Sequence, residues 1–196
     1  MKFPLTLQNR ASNCGPSCLK MISEYYGKSY DLDFLSAKCR VTKAGTSMLR
    51  LSKVAKSIGF ECRGVKMGIE QLKEIVQQIP VILYWSRNHF VIIYKAPKPS
   101  KQGFFYLADP AKGLIRLKEP QFARDWLAKK NGCALLIECA FTASSFVSAG
   151  SNSAYSGEVS VSGFYLNPAD ENLEDYIPGD LRGIRATSGA INMAGR

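Results

Sequence analysis

The apolar residues of this 196-residue chain change their spacing part-way along, and no other feature limits the possible folds as much. In the first part they recur three and four apart, the pattern of one face of a helix. Asn13 or Ser12 would cap a helix carrying Cys18, Leu19, Met21, Ile22, Tyr25 and Tyr26 and ending at Gly27. Asp31 or Asp33 opens a short second helix through Leu35 and Ala37. Thr46-Ser47 caps a third, with Met48, Leu51, Val54, Ala55 and Ile58 on one side and Gly59 as its stop. Residues 69–78 give a fourth. Beyond them, residues 79–85, 89–95, 103–108 and 113–118 are short runs rich in Val, Ile, Tyr and Phe, separated by turn residues, with a hairpin-type connection over 97–103. A brief helix at 121–127 precedes a last strand at 133–139. Helices first and strands afterwards predict an α+β domain, an N-terminal helical part packed on a C-terminal antiparallel sheet.

Charge divides the chain at the same place where the periodic pattern ends. Residues 1–140 hold 23 Lys and Arg against 10 Asp and Glu, whereas residues 141–196 hold 3 against 6, within a total of +10. The second stretch opens on small residues from Thr142 to Ser153, the composition of a flexible join. The expected organisation is therefore a domain over 1–140 and a Ser/Gly-rich linker with an acidic tail over 141–196. The longest apolar run, at 79–84, is far short of the ~20 residues that span a bilayer, and the first residues lack the apolar core of a secretory signal. A cytoplasmic setting follows as the expectation, with six free thiols rather than disulfides. One histidine and no CxxC pair leave the usual Cys/His zinc spacings unavailable, so neither metal nor cofactor is expected.

Chemistry concentrates in Gln8-Asn9-Arg10-Ala11-Ser12-Asn13-Cys14-Gly15-Pro16-Ser17-Cys18-Leu19. A cysteine at a helix start sits by unsatisfied backbone N–H groups and the positive end of the dipole, where an anionic nucleophile is favoured. Gly15 would let a substrate backbone come close, and Pro16 suits a first helical turn. Gln8 is six residues upstream, within reach to offer an amide N–H to an oxyanion beside Cys14. The plainer alternative is a buried cysteine at a helix start behind a solvated glutamine. His89 opens the run His89-Phe90-Val91-Ile92-Ile93, either as a structural residue or as the only imidazole able to serve Cys14 as a base. Asp109, in Leu107-Ala108-Asp109-Pro110-Ala111, is either a turn-initiating aspartate or the group that orients that imidazole.

Taken together, Gln8, Cys14 in NCGPSCL, His89 in NHFVII and Asp109 in DPAKG resemble, in order and in Gln–Cys spacing, the bacteriocin-processing double-glycine leader peptidases. These are papain-like cysteine peptidases, found as the cytoplasmic N-terminal domains of peptidase-containing ABC exporters. The resemblance spans about residues 3–139. It implies Cys14 as nucleophile, His89 as general acid and base, Asp109 as its orienter and Gln8 as oxyanion donor beside the backbone N–H of Cys14. It also implies cleavage after a Gly-Gly or Gly-Ala pair that ends a leader, through a thioester. Specificity would come from an acidic amphipathic leader helix in an apolar groove, with Tyr26, Met48 and Leu51 as candidate substrate-binding walls, although their helical spacing equally suits the core.

The chain departs from that family in three ways. Asn13 stands where the family often has Asp. Cys18, one turn beyond Cys14, reads as a packed residue or as a disulfide partner under oxidation. After Ala140 neither membrane helices nor a GxxxxGK[ST] loop follows. The chain then reads as a stand-alone peptidase, a peptidase fragment or a peptidase with a segment joined on, a separate membrane ABC exporter being a possible partner. The tail holds a Gly189-Ala190 pair behind an acidic stretch at 170–177, a substrate-like arrangement that only partly fits. Two rival functions stand beside the peptidase. A catalytically silent leader-binding domain is disfavoured by the retained Cys14, His89 and Asp109. A nucleic-acid module is disfavoured because the basic residues are scattered and carry no binding signature.

Overall fold

The computed structural model describes residues 2–139 apart from 87 and 129. A single 3-10 turn, Ala11–Asn13, runs into α1 (Cys14–Tyr25), followed by α2 (Leu32–Lys38) and α3 (Met48–Ser57). Then come β1 (Phe60–Met67), α4 (Ile69–Val76), β2 (Val81–Trp85), β3 (His89–Lys95), β4 (Phe104–Asp109), β5 (Gly113–Lys118), α5 (Glu119–Trp126) and β6 (Gly132–Cys139). The strands form one antiparallel sheet in the order β1-β6-β2-β3-β4-β5.

Asp31 is the residue that opens α2, its side chain accepting from the backbone N–H groups of Asp33 and Phe34, and Ser47 opens α3 by accepting from Arg50. α1 has no such cap: neither Asn13 nor Ser12 bonds its first turn. The physical reason is the backbone: Asn13 ends the 3-10 turn with φ -93° and ψ 11°, whereas Asp31 and Ser47 have the extended conformation that a capping side chain needs.

The sheet is apolar on both faces because helices cover both. Alternate residues along each strand divide between two cores. Phe90 and Ile92 of β3, Ile82 of β2 and Leu135 and Ile137 of β6 pack under α1, α2 and α3. Val91, Ile93, Val81, Leu83, Ala134 and Leu136 face the other way, onto Leu72 and Val76 of α4 and Phe122 and Trp126 of α5. Phe105 stacks on Phe122 there, centroids 4.2 Å apart. The fold is the expected α+β class with one difference: β1 lies in the part that reads as helical. It alternates buried Phe60 and Cys62 with exposed Glu61 and Arg63 and pairs along its whole length with β6, Phe60 opposite Cys139 through Met67 opposite Gly132. The six cysteines are free thiols. No helix among the described residues is long and apolar enough to cross a membrane. The expected boundary at 140, the linker and the acidic tail lie outside the described residues.

Candidate active site

The α1–sheet interface places the first residue of a helix at one end of two paired strands. Cys14 starts α1 and is 4% exposed. β3 and β4 run antiparallel with Ile93 opposite Leu107 and Ile92 opposite Ala108, so His89, the first residue of β3, and Asp109, the last of β4, share one end of the sheet. There His89 Nε2 lies 2.8 Å from Asp109 Oδ1. Asp109 is 1% exposed, and Oδ1 also accepts the backbone N–H of Ala111 at 2.8 Å. The turn that leads to β5 thereby fixes the carboxylate that fixes the ring. With Nε2 engaged, Nδ1 is the ring nitrogen left for Cys14, whose side chain acts on the same imidazole.

Electrostatics follows from that geometry. Burial works against the charged imidazolium, but its hydrogen bonds to Asp109 and Cys14 and their negative charges outweigh it and push His89 from 6.5 up to about 9. Burial likewise opposes ionisation of Asp109, yet the His89 and Ala111 hydrogen bonds, with the charges of His89 and Lys112, hold its carboxyl below the usual range. Lys112 Nζ stands 3.9 Å from Asp109 Oδ2 on the solvent side. Cys18, one turn into α1, is fully buried, and burial, together with the nearby charges of Cys14 and Asp109, pushes its thiol well up. It is a packed thiol rather than a second nucleophile.

Gln8 reaches the same corner from the N-terminal segment. Its backbone N–H donates to Pro110 O, next to Asp109, at 2.8 Å, and its side-chain Nε2 donates to Ala11 O at 3.3 Å. One N–H of that amide remains for another acceptor. Asn13, which the sequence offers as a helix cap and in place of the family's Asp, is bonded to Asn9: Asn13 Nδ2 donates to Asn9 Oδ1 at 2.7 Å.

The proposed groove walls have different surroundings. Leu51 is fully buried and offers no surface to a peptide. A Cβ on Gly15 would meet Thr46 Cγ2 at 2.7 Å and Leu51 Cδ1 at 3.1 Å. Thus the space above Gly15 is filled by α3 rather than kept for substrate, and Leu51 is the core side of that contact. Met48 is partly buried at the start of α3. Tyr26 is partly buried too, its hydroxyl donating to Ile137 O at 2.9 Å. No group of three or more potential metal ligands occurs among the described residues.

A buried thiol, an imidazole and a carboxylate in line, with a side-chain amide anchored beside them, is the equipment of a cysteine hydrolase. Residues 2–142 match the Peptidase C39 family. The chain belongs to that family. Among relatives of this C39 domain is the colicin V secretion/processing ATP-binding protein CvaB of Escherichia coli, 28% identical over 123 residues. Those residues make up 63% of this chain but only 17% of CvaB, so the chain spans about a sixth of that relative's length. The lactococcin-G-processing and transport protein LagD of Lactococcus lactis is 29% identical over a similar stretch, with 61% of this chain and 17% of LagD covered. Among solved structures, a double-glycine motif protease from an AMS/PCAT transporter, crystallised with its leader peptide, is 30% identical. It superposes with a TM-score of 0.61 over 71% of this chain and 93% of that one. This is a papain-like cysteine peptidase domain, homologous to the leader-processing peptidase domains of bacteriocin ABC transporters.

Proposed function

We propose that this domain hydrolyses a peptide bond after a Gly-Gly or Gly-Ala pair at the end of a leader, freeing the peptide that follows. The contact that carries the reading is the 2.8 Å His89–Asp109 hydrogen bond, with Cys14 close enough to act on the same ring. In the first half-reaction the Cys14 sulfur, paired with the His89 imidazolium, attacks the scissile carbonyl carbon. The carbonyl oxygen becomes an oxyanion that receives N–H bonds from the Gln8 side chain and the Cys14 backbone. His89 then gives its proton to the departing amine, the C–N bond breaks, and a thioester remains. In the second, His89 takes a proton from water, the hydroxide attacks the thioester, and the Cys14 sulfur leaves to pair again with the imidazolium. Asp109 keeps the ring oriented and balances the imidazolium throughout.

A leader with small residues at its end suits a thiol that is almost wholly buried, because larger side chains would have to displace the walls around Cys14. The positive excess of residues 1–140 fits an acidic amphipathic leader, and the partly buried Tyr26 and Met48 are the wall residues left to contact it. The domain would work at the cytoplasmic face of an ABC exporter, as a part of it or beside it.

An endpoint mass-spectrometric assay under reducing conditions tests this on a panel of leader peptides ending in Gly-Gly or Gly-Ala. Cleavage after the second small residue, lost in Cys14→Ala, is expected. Tight binding without cleavage would move the domain to a silent leader receptor, and neither binding nor cleavage would reject the reading. The same spectra follow the enzyme's own mass at the Gly189-Ala190 pair.

A further inference from the structure

The segment between the oxyanion amide and the thiol is closed by a side-chain bond that the chemistry above does not use. Asn13 is 4% exposed, yet its amide does not cap α1. Instead Nδ2 reaches back four residues to Asn9 Oδ1 at 2.7 Å, a short bond for an uncharged pair of amides. Asn13 adjoins Cys14, and Asn9 adjoins Gln8. Therefore the bond spans the chain between the two groups that must face the same carbonyl. Further contacts hold the same loop: the backbone N–H of Asn13 donates to Arg10 O at 3.0 Å, and the Gln8 amide leans on Ala11 O. On the upstream side Gln8 is pinned to Pro110 O. Without the Asn9–Asn13 bond, its downstream side is held only by the Asn13–Arg10 backbone bond and the long Gln8–Ala11 contact. The Gln8 side chain needs that support: its Oε1 is buried with no partner, and its one bond, to Ala11 O, is long.

We infer that the Asn9–Asn13 side-chain pair is a positioning clamp, setting the aim of the Gln8 amide at the oxyanion formed beside Cys14. This rests on the peptidase reading and assigns neither asparagine a contact with substrate. The amide donates to the oxyanion only where the tetrahedral intermediate places it, so a misplaced donor weakens the transition state more than the bound substrate. A donor displaced by about 1 Å costs up to about 100-fold in rate.

Asn9 is solvent-exposed, so Asn9→Ala breaks the clamp without opening a cavity. The test measures kcat and KM for a cleaved leader peptide in the full chain and its variants. Asn9→Ala should lower kcat by about 10- to 100-fold with KM within about twofold. Asn9→Asp, whose carboxylate accepts the same Asn13 N–H, should restore most of the loss. In a Gln8→Ala background, itself down about 100- to 1000-fold, Asn9→Ala should cost less than about twofold more. A full loss in that background would mean that the clamp does not act through Gln8, and an unchanged kcat in Asn9→Ala would mean that there is no clamp; either overturns the inference alone. Cleavage that ignores Cys14→Ala overturns the peptidase reading, and the inference with it.

Discussion

His89 is held between two groups that both favour its charged form, and its proton is the quantity that the site controls. Its pKa rises from 6.5 to about 9 on folding, so the imidazolium stabilises the fold fully below about pH 6.5, and that contribution disappears as pH rises through about 9. Asp109 acts in the opposite sense, stabilising above its ordinary 3.8 and losing that effect as pH falls through its lowered folded value. Activity needs the imidazolium to protonate the leaving amine, so kcat/KM is expected to fall as pH rises through about 9. Asp109→Asn removes the charge and the strongest acceptor. It should move that alkaline limb down by about one pH unit or more, and lower the plateau as well. A limb left in place in the pH–rate profile would mean that another group sets it. At this scale much was legible: Gln8, Cys14, His89 and Asp109, picked out by type and spacing, meet at one corner. The Asn9–Asn13 bond was not, because an Asn before a helix ordinarily reads as its cap. Only the 3-10 turn that runs into α1 takes Asn13 out of the extended backbone that a cap needs.

Helix α1 carries the thiol, and its distance from α3, its neighbour on the same face of the sheet, is set at Gly15. Gly15 lets Thr46 and Leu51 come within van der Waals distance of the α1 backbone. Gly15→Ala would push a methyl into atoms 2.7 and 3.1 Å away, forcing α1 and α3 apart. A loss of about 1–3 kcal/mol in urea unfolding is expected, accompanied by a fall in kcat as Cys14 moves from His89. Unchanged stability would show that the Thr46 side chain simply rotates away. The helices themselves were plain in the sequence, since Asp31 and Ser47 are strong caps and the apolar spacing is regular. β1 was hidden for a reason that lies elsewhere in the chain. Phe60-Glu61-Cys62-Arg63-Gly64-Val65-Lys66-Met67 carries three charges and a central glycine, a poor strand on its own terms. It becomes one because β6 supplies a partner along its whole length.

At the scale of the domain, the last of the described strands is not at an edge of the sheet. β6 lies between β1 and β2, with Leu135 and Ile137 in one core and Ala134 and Leu136 in the other. The three-layer arrangement was only half legible: the near-continuous apolar runs of β2 and β3 signal strands covered on both faces, but not which helices cover which face. A chain ending at residue 142, where the family match ends, should keep its melting temperature within about 2 °C and its peptidase activity. One ending at residue 131 should show no cooperative unfolding transition by circular dichroism, since β1 then has no partner and both cores are open. A large loss of melting temperature on removing 143–196 would place part of the fold in that tail. The position of β6 also matters during synthesis. While the ribosome is still making residues 110–131, β2 presents Val81, Ile82 and Leu83 along a hydrogen-bonding edge that only β6 will cover. For that interval the nascent chain displays an open, apolar strand to its neighbours. The protein's window of vulnerability to aggregation therefore closes only with β6, well after Cys14, His89 and Asp109 have all been made.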